Sequence, residues 1–237
     1  MSRSVGAGGT RHVLAASLRA AVPVMLGYVV IGLPCGLMED SIGFSPLQCF
    51  LLSSTFYSGA GQFMIPNMWL AGAPLYSIIA SVSFVNTRQV LYSAAFSPFF
   101  SGVGKVLSFL FSATVTDESF GVNMDRFQTD GGWTALHGLF VNLFCMFTWA
   151  SANAAGCALG AVLDLPLAIT SFAMTAIFIC LLVGQKMTRQ TAVVMAVSAA
   201  GVAFCKLVGL GGPAILLGAV AGVMAGMFVK PGGGESA

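Results

Sequence analysis

From Ala20 to Met38 the chain runs without one charged side chain, and comparable runs recur almost to its end. This constrains the fold more than any other feature. About 20 mostly apolar residues let a helix cross a bilayer. Only 8% of the 237 residues are charged, where soluble domains carry roughly 25%. Too few charges remain to cover a water-facing surface. The expectation is an all-α, polytopic transmembrane helical bundle, a single domain over residues 1–237 in an inner or plasma membrane. The lipid bilayer is its first partner. A formal net charge of +2 gives no reason to expect nucleic acid.

The expected spans cover 20–38, 46–70, 74–98, 133–160, 166–184, 190–208 and 211–229. The run 20–38 exceeds a signal-peptide core and no A-x-A site follows it, so it is expected to stay as the first helix. Segment 103–122 decides between seven and eight crossings. If it crosses, Arg3, Arg11, Arg19, Arg126, Lys186, Arg189 and Lys230 share one side, against Lys105 and Lys206. If it does not, the basic residues divide almost evenly. The cytoplasmic bias of Lys and Arg favours eight crossings with both ends inside. SPLQCFLLSSTF (45–56) also echoes LPLAITSFAMTAIF (165–178). This is either an internal repeat of the kind transporters carry or chance likeness of two apolar helices.

The six cysteines lie in apolar runs without C-x-x-C spacing, so they are expected to pack rather than to bind metal or cross-link. Met64 and Met68, four apart, are expected to fill gaps. No H-E-x-x-H, G-x-S-x-G or G-x-G-x-x-G pattern occurs, which argues against an enzyme and against a cofactor. Gly32 and Gly36, then Ala152, Gly156 and Gly160, then Gly218, Gly222 and Gly226 repeat at four-residue spacing. Such smooth faces bring helices close together. They serve either internal packing or, on the last helix, docking of a second membrane subunit.

Two polar stretches interrupt the apolar runs. SGAGQF (58–63) sets Gly59 and Gly61 beside Ser58 and Gln62. Glycine costs a helix roughly 1 kcal/mol relative to alanine. The stretch is therefore either a tight helix crossing or a broken helix. A break would offer N–H groups and a positive helix end to a carboxylate. NTRQ (86–89) puts Arg88 about ten residues from Pro98, roughly 15 Å along a helix. That is too deep for snorkelling, and an unpaired charge there costs roughly 2.5–3.5 kcal/mol. Arg88 should therefore point into the bundle and pair. Asp117 and Glu118 are the preferred partners, with Glu39, Asp40 and Asp164 behind them. Asn86 should face elsewhere, and Tyr92 should share the Arg88 face. His137, Asn142 and Asn153 add polar groups to 133–160.

Four features in order, GYVVIGLPCGL (27–37), FYSGAGQF (56–63), FVNTRQVLYSAAFSP (84–98) and TDESFG (116–121), resemble the AzlC family. That family supplies the large subunit of bacterial branched-chain amino acid exporters. The family usually follows Asn-x-Arg with His, where this chain has Gln89. The resemblance implies export of branched-chain or similar small apolar amino acids. It carries over Gly59, Gly61, Gln62, Asn86, Arg88, Asp117 and Glu118. With Ser58 these residues would hold the substrate carboxylate, while Asp117 or Glu118 forms an ion pair or carries a coupled proton. It also implies a small AzlD-type membrane subunit as partner. The alternatives are a structural or assembly subunit that does not transport, or a transporter of another small solute.

Overall fold

The computed structural model describes residues 7–163, 188–209 and 214–229, with positions 172, 176, 179 and 183 between them. Every regular element among the described residues is helical. The helices are α1 (Ala7–Ser41), α2 (Pro46–Thr55), α3 (Gly59–Leu70), α4 (Leu75–Ala95), a 3-10 turn (Ser97–Phe100), α5 (Lys105–Ala113), α6 (Asp117–Thr129) and α7 (Ala135–Leu163). Two more follow, α8 (Arg189–Leu207) and α9 (Ala214–Phe228). Arg11–Ser41, Ala135–Val162 and Arg189–Leu207 are long and apolar enough to cross a membrane, judged by length and composition. Apart from those four positions, the expected span 166–184 and the second half of the suspected repeat lie outside the described residues, as does Asp164.

The chain forms two compact units, Met1–Phe63 with Asn86–Met174, and Met64–Val85 with Thr175–Ala237. In the first, α7 is the hub on which α1, α2, α5 and α6 pack. Glycine sets the α1–α7 crossing. A Cβ added at Gly36 would lie 1.9 Å from the Asn153 carbonyl oxygen, and one at Gly156 would lie 2.1 Å from that of Leu33. The two backbones touch, so any side chain there would push them apart. Ser17 Oγ adds a hydrogen bond to the His137 carbonyl, 3.0 Å.

In the second unit α8 packs on α9. A Cβ at Gly222 would lie 1.9 Å from Ser198 Oγ, and one at Gly218 or Gly226 would lie 2.5 Å from Val202 or Val194. The glycine face of the last helix is thus covered by the chain's own α8. Of the two readings of this face, internal packing is the one that these contacts bear out. Gln190 Nε2 closes the pair with a bond to the Gly226 carbonyl, 3.0 Å.

Continuity was left open in the sequence: 46–70 offered either a tight crossing or a broken helix near 59–62, and 103–122 was an uncertain crossing. Each contains two short helices, none long enough to cross alone. Pro46 opens α2 behind Ser45, which forms a reciprocal cap with Gln48. α2 stops at Phe56, and Ser58 Oγ then accepts from Gly61 N at 3.2 Å to start α3. In α5–α6 the helix stops at Thr114, and Thr116 and Ser119 cap each other to start α6. A hydroxyl side chain that offers the first turn's N–H groups a partner competes with helix continuation. Both interruptions use it.

The ends of α4, α5 and α6 are fixed by an aromatic cluster. Phe96, Phe111 and Val115 are buried at its centre. Tyr92, Phe99, Phe100, Phe120 and Phe127 pack around them. The Phe96 and Phe111 rings meet edge to face at 4.9 Å. Buried amides finish the job. Asn142 Nδ2 on α7 donates to the Phe111 carbonyl, 3.3 Å, and Asn123 Nδ2 on α6 donates to Asn142 Oδ1, 2.9 Å. The carbonyls that a helix end leaves unpaired thus find donors inside the protein. Interrupted backbone at membrane depth requires such partners.

Candidate functional site

The two interruptions, residues 56–58 and 114–116, are both tied to α4 and to Tyr28. On α4, Asn86 Oδ1 accepts from Ser58 Oγ at 2.5 Å. Gln89 Nε2 donates to the Tyr57 carbonyl at 3.2 Å. Both contacts reach the α2–α3 interruption. Arg88, between them, donates from Nη1 to Asp117 Oδ2 in the first turn of α6. Ser93 Oγ, farther along α4, donates to the Ser112 carbonyl at 3.2 Å. NTRQ therefore holds one broken helix with its amides and the other with its charge. Asn86 faces elsewhere than Arg88, as its spacing suggested: it meets Ser58 at the α2–α3 interruption, while Arg88 meets Asp117 on α6. Tyr92 shares the Arg88 face as expected: its hydroxyl meets the Asp117 side chain, while its ring joins the aromatic cluster, 4.8 Å from that of Phe120.

Tyr28 on α1 reaches both interruptions. Its hydroxyl donates to Glu118 Oε2, 2.7 Å, and lies 2.7 Å from Thr116 Oγ1. Its ring meets Tyr57 edge-on at 6.5 Å and Trp149 of α7 at 5.3 Å. Sequence reasoning missed Tyr28, although a phenol inside the GYVVIGL run was a signal: buried tyrosine hydroxyls need partners.

The first turn of α3 is not itself the opening, which falls just before it at 56–58. Gly59 rests on the Trp149 indole, where an added Cβ would make only ordinary contact at 3.6 Å. Gly61 allows close approach, since a Cβ there would lie 2.9 Å from both the Phe56 ring and Ser58 Oγ. Gln62 is fully buried and fully engaged. Its Nε2 donates to Glu39 Oε1, 2.9 Å, and to Ser53 Oγ, 2.7 Å, and its Oε1 accepts from Trp149 Nε1 at 2.5 Å. The Gln62 side chain thus faces away from Arg88. Glu39, one of the weaker candidates for the Arg88 partner, is buried against Gln62 instead.

The electrostatics of the two helix starts differ. The first turn of α6 carries Asp117 and Glu118, which oppose its own positive end. The first turn of α3 carries no acidic residue. By position, the N–H groups of Gly59 and Ala60 have no partner within the helix. Arg88 and Asp117 keep 34% and 39% of their side-chain surface free of protein contact. Arg88 Nε is buried and lacks an acceptor among the described residues. The arrangement offers one end to an anion and another to a cation.

His137 plays a local part at the start of α7. Its Nδ1 lies 2.8 Å from Thr134 Oγ1, and its ring stacks on Trp133 at 4.8 Å. Five cysteines are buried and free, and no group of three or more metal-ligating side chains occurs among the described residues.

The family profile of the AzlC protein matches residues 23–163. The branched-chain amino acid transport protein AzlC of Bacillus subtilis is 24% identical over 206 residues, 86% of this chain and 79% of that protein. An uncharacterized membrane protein of Haemophilus influenzae is 28% identical over 163 residues, 67% of this chain and 65% of that protein. The inner membrane protein YgaZ of Escherichia coli is 32% identical over 101 residues, 42% of this chain and 41% of that protein. No solved structure matches. The profile match takes in both interruptions, NTRQ and the α1–α7 pair.

Proposed function

The chain belongs to the AzlC family, and from that premise we propose that it is a branched-chain amino acid transport subunit that exports its substrate. It is an all-helical, multi-pass protein of the bacterial inner membrane. The observation that carries the proposal is the pairing of two interrupted helices of opposite electrostatic character across Arg88. A zwitterion has the matching pattern. Its carboxylate would take the Gly59 and Ala60 N–H groups, together with Arg88, whose planar fork suits a carboxylate. Ser58 and Asn86 would orient that helix start, Gly61 would let it close, and Gln62 would anchor it to the bundle. The ammonium group would face Asp117 or Glu118.

In this conformation Arg88 is held by Asp117. Export would proceed by exchange, the substrate carboxylate displacing Asp117 from Arg88 and freeing Asp117 for the ammonium group. The charges then stay paired throughout, which a low-dielectric site requires. The chain would act beside a small AzlD-type membrane subunit, as the family resemblance implies. The test is counterflow of labelled leucine in liposomes holding both proteins. Robust counterflow that is lost in Arg88→Ala supports the assignment, and unchanged flux in that variant removes Arg88 from it. Recovery of flux in a double variant that swaps the charges of Arg88 and Asp117 would make their pair structural rather than a substrate clamp.

A further inference from the structure

Glu39 is a buried carboxyl group that the substrate site does not use. It lies near the end of α1 with none of its surface exposed. Oε1 accepts a hydrogen bond from Gln62 Nε2 at 2.9 Å, and the Cys49 thiol is a second, weak donor to the carboxyl group. Oε2 is buried and accepts none. The titratable groups facing it are neutral thiols or another acid. They are Cys35 on α1, Cys49 on α2 and Cys157 on α7, with Asp40 close to Cys157. From α3 comes only the Gln62 amide. Among the described residues no cationic side chain forms a salt bridge with Glu39.

An ionised carboxylate in such a place costs several kcal/mol unless a cation or several donors compensate. One amide and a weak thiol donor do not. As a neutral acid, the group loses the charge that must be compensated and gains an O–H. Ionisable groups held inside membrane bundles mark proton or ion pathways.

We infer that Glu39 is a proton-binding site, separate from the Arg88–Asp117 pair, that couples proton movement to transport. This role rests on the transport function proposed above. The chemistry is one O–H bond: Glu39 COOH gives COO⁻ and H⁺, and the proton passes to water on one side of the membrane. Gln62 is the link. Its Nε2 is shared between Glu39 and Ser53, and its backbone lies in the first turn of α3. Loss of the proton makes the carboxylate the stronger acceptor. It draws the shared amide from Ser53 and shifts the turn that presents Gly59 and Ala60. Proton occupancy and substrate affinity are then reciprocally linked.

Two measurements test this on the full chain in liposomes, together with its partner subunit where transport requires one. The first compares leucine counterflow, which needs no net driving force, with leucine flux driven by a pH gradient. Glu39→Gln should keep counterflow within about two-fold and lose at least about ten-fold of the driven flux, a coupling of the usual size. Glu39→Asp, which keeps an acid, should retain part of the drive. The second is an infrared titration. The wild type should show a carboxylic acid C=O band at neutral pH that is missing from Glu39→Gln. Undiminished pH-driven flux in Glu39→Gln, or a band unchanged by that substitution, overturns the assignment. So does a flux driven by sodium and not by pH. If Glu39→Gln loses both transport modes, the infrared band decides. If the wild type moves no leucine, the transport function has failed, and the band still decides whether Glu39 holds a proton.

Discussion

The interruptions at 56–58 and 114–116 are built alike and charged differently. Each is three residues long and ends in a hydroxyl residue, Ser58 or Thr116, that caps the helix behind it. Each is tied to α4. One then continues into GAGQ, with no acid in its first turn, and the other into DES. The likeness says that a short polar cap suffices to break a helix where the bundle supplies partners for the freed backbone. The difference lies in the charges at the two helix starts. The α6 start opposes its positive end with its own carboxylates and lends one to Arg88. The α3 start has no acidic residue in its first turn, and the proposed function assigns that end to the substrate carboxylate.

The largest effect should come from the residue between them. Arg88→Ala should cut leucine counterflow by about 100-fold or more, the loss of roughly 3 kcal/mol of charge-assisted bonding. Near-normal flux would dissolve the functional contrast. Next, Gly59→Asp would make α3 resemble α6. The Trp149 ring at 3.6–3.7 Å leaves room for a Cβ, so the fold should survive while a carboxylate fills the helix end. Counterflow should fall about 10–100-fold, in line with the loss of one or two charge-assisted bonds. Normal transport in a well-folded Gly59→Asp protein would show that the α3 end is not an anion seat.

A smaller effect separates capping from function. Ser58→Ala and Thr116→Ala should each cost about 1 kcal/mol of stability as lost caps, read by thermal unfolding in detergent. Ser58→Ala also removes the Asn86 bond, so it should raise the leucine concentration for half-maximal flux more than Thr116→Ala does. Equal shifts would argue that the two breaks are interchangeable. Smallest is Gln89→His, which installs the residue usual in the family. The imidazole keeps an N–H for the Tyr57 carbonyl, and flux should change less than about three-fold, as for one neutral hydrogen bond of roughly 0.5 kcal/mol. A larger loss would give Gln89 a part beyond holding the break.

Much of this was legible in the chain itself. Uncharged runs dictated helices, because nothing else satisfies backbone in lipid. Depth dictated that Arg88 turns inward, because a buried charge must be offset. The SGAGQF and TDESFG segments drew attention because polar residues inside apolar runs carry a cost that needs a reason.

Tertiary structure decided the rest. The sequence left open which carboxylate pairs with Arg88, since Asp117 and Glu118 are neighbours in the chain. The Tyr28 hydroxyl takes Glu118 and leaves Asp117 for Arg88. Glu39 read as the acidic end of the first helix, yet α2, α3 and α7 enclose it completely. Burial of that kind depends on three distant segments meeting. The glycine series on α9 left both an inner and an outer face open, because spacing specifies smoothness and not what lies opposite. Continuity of 46–70 and 103–122 was undecidable from apolarity, which measures affinity for lipid and is blind to a cap that has found its partner. Composition determined that this chain lives in a membrane as helices. Only the packing of α1, α4 and α7 around two capped breaks determined where its charges meet, because a charge chooses its partner by distance in space.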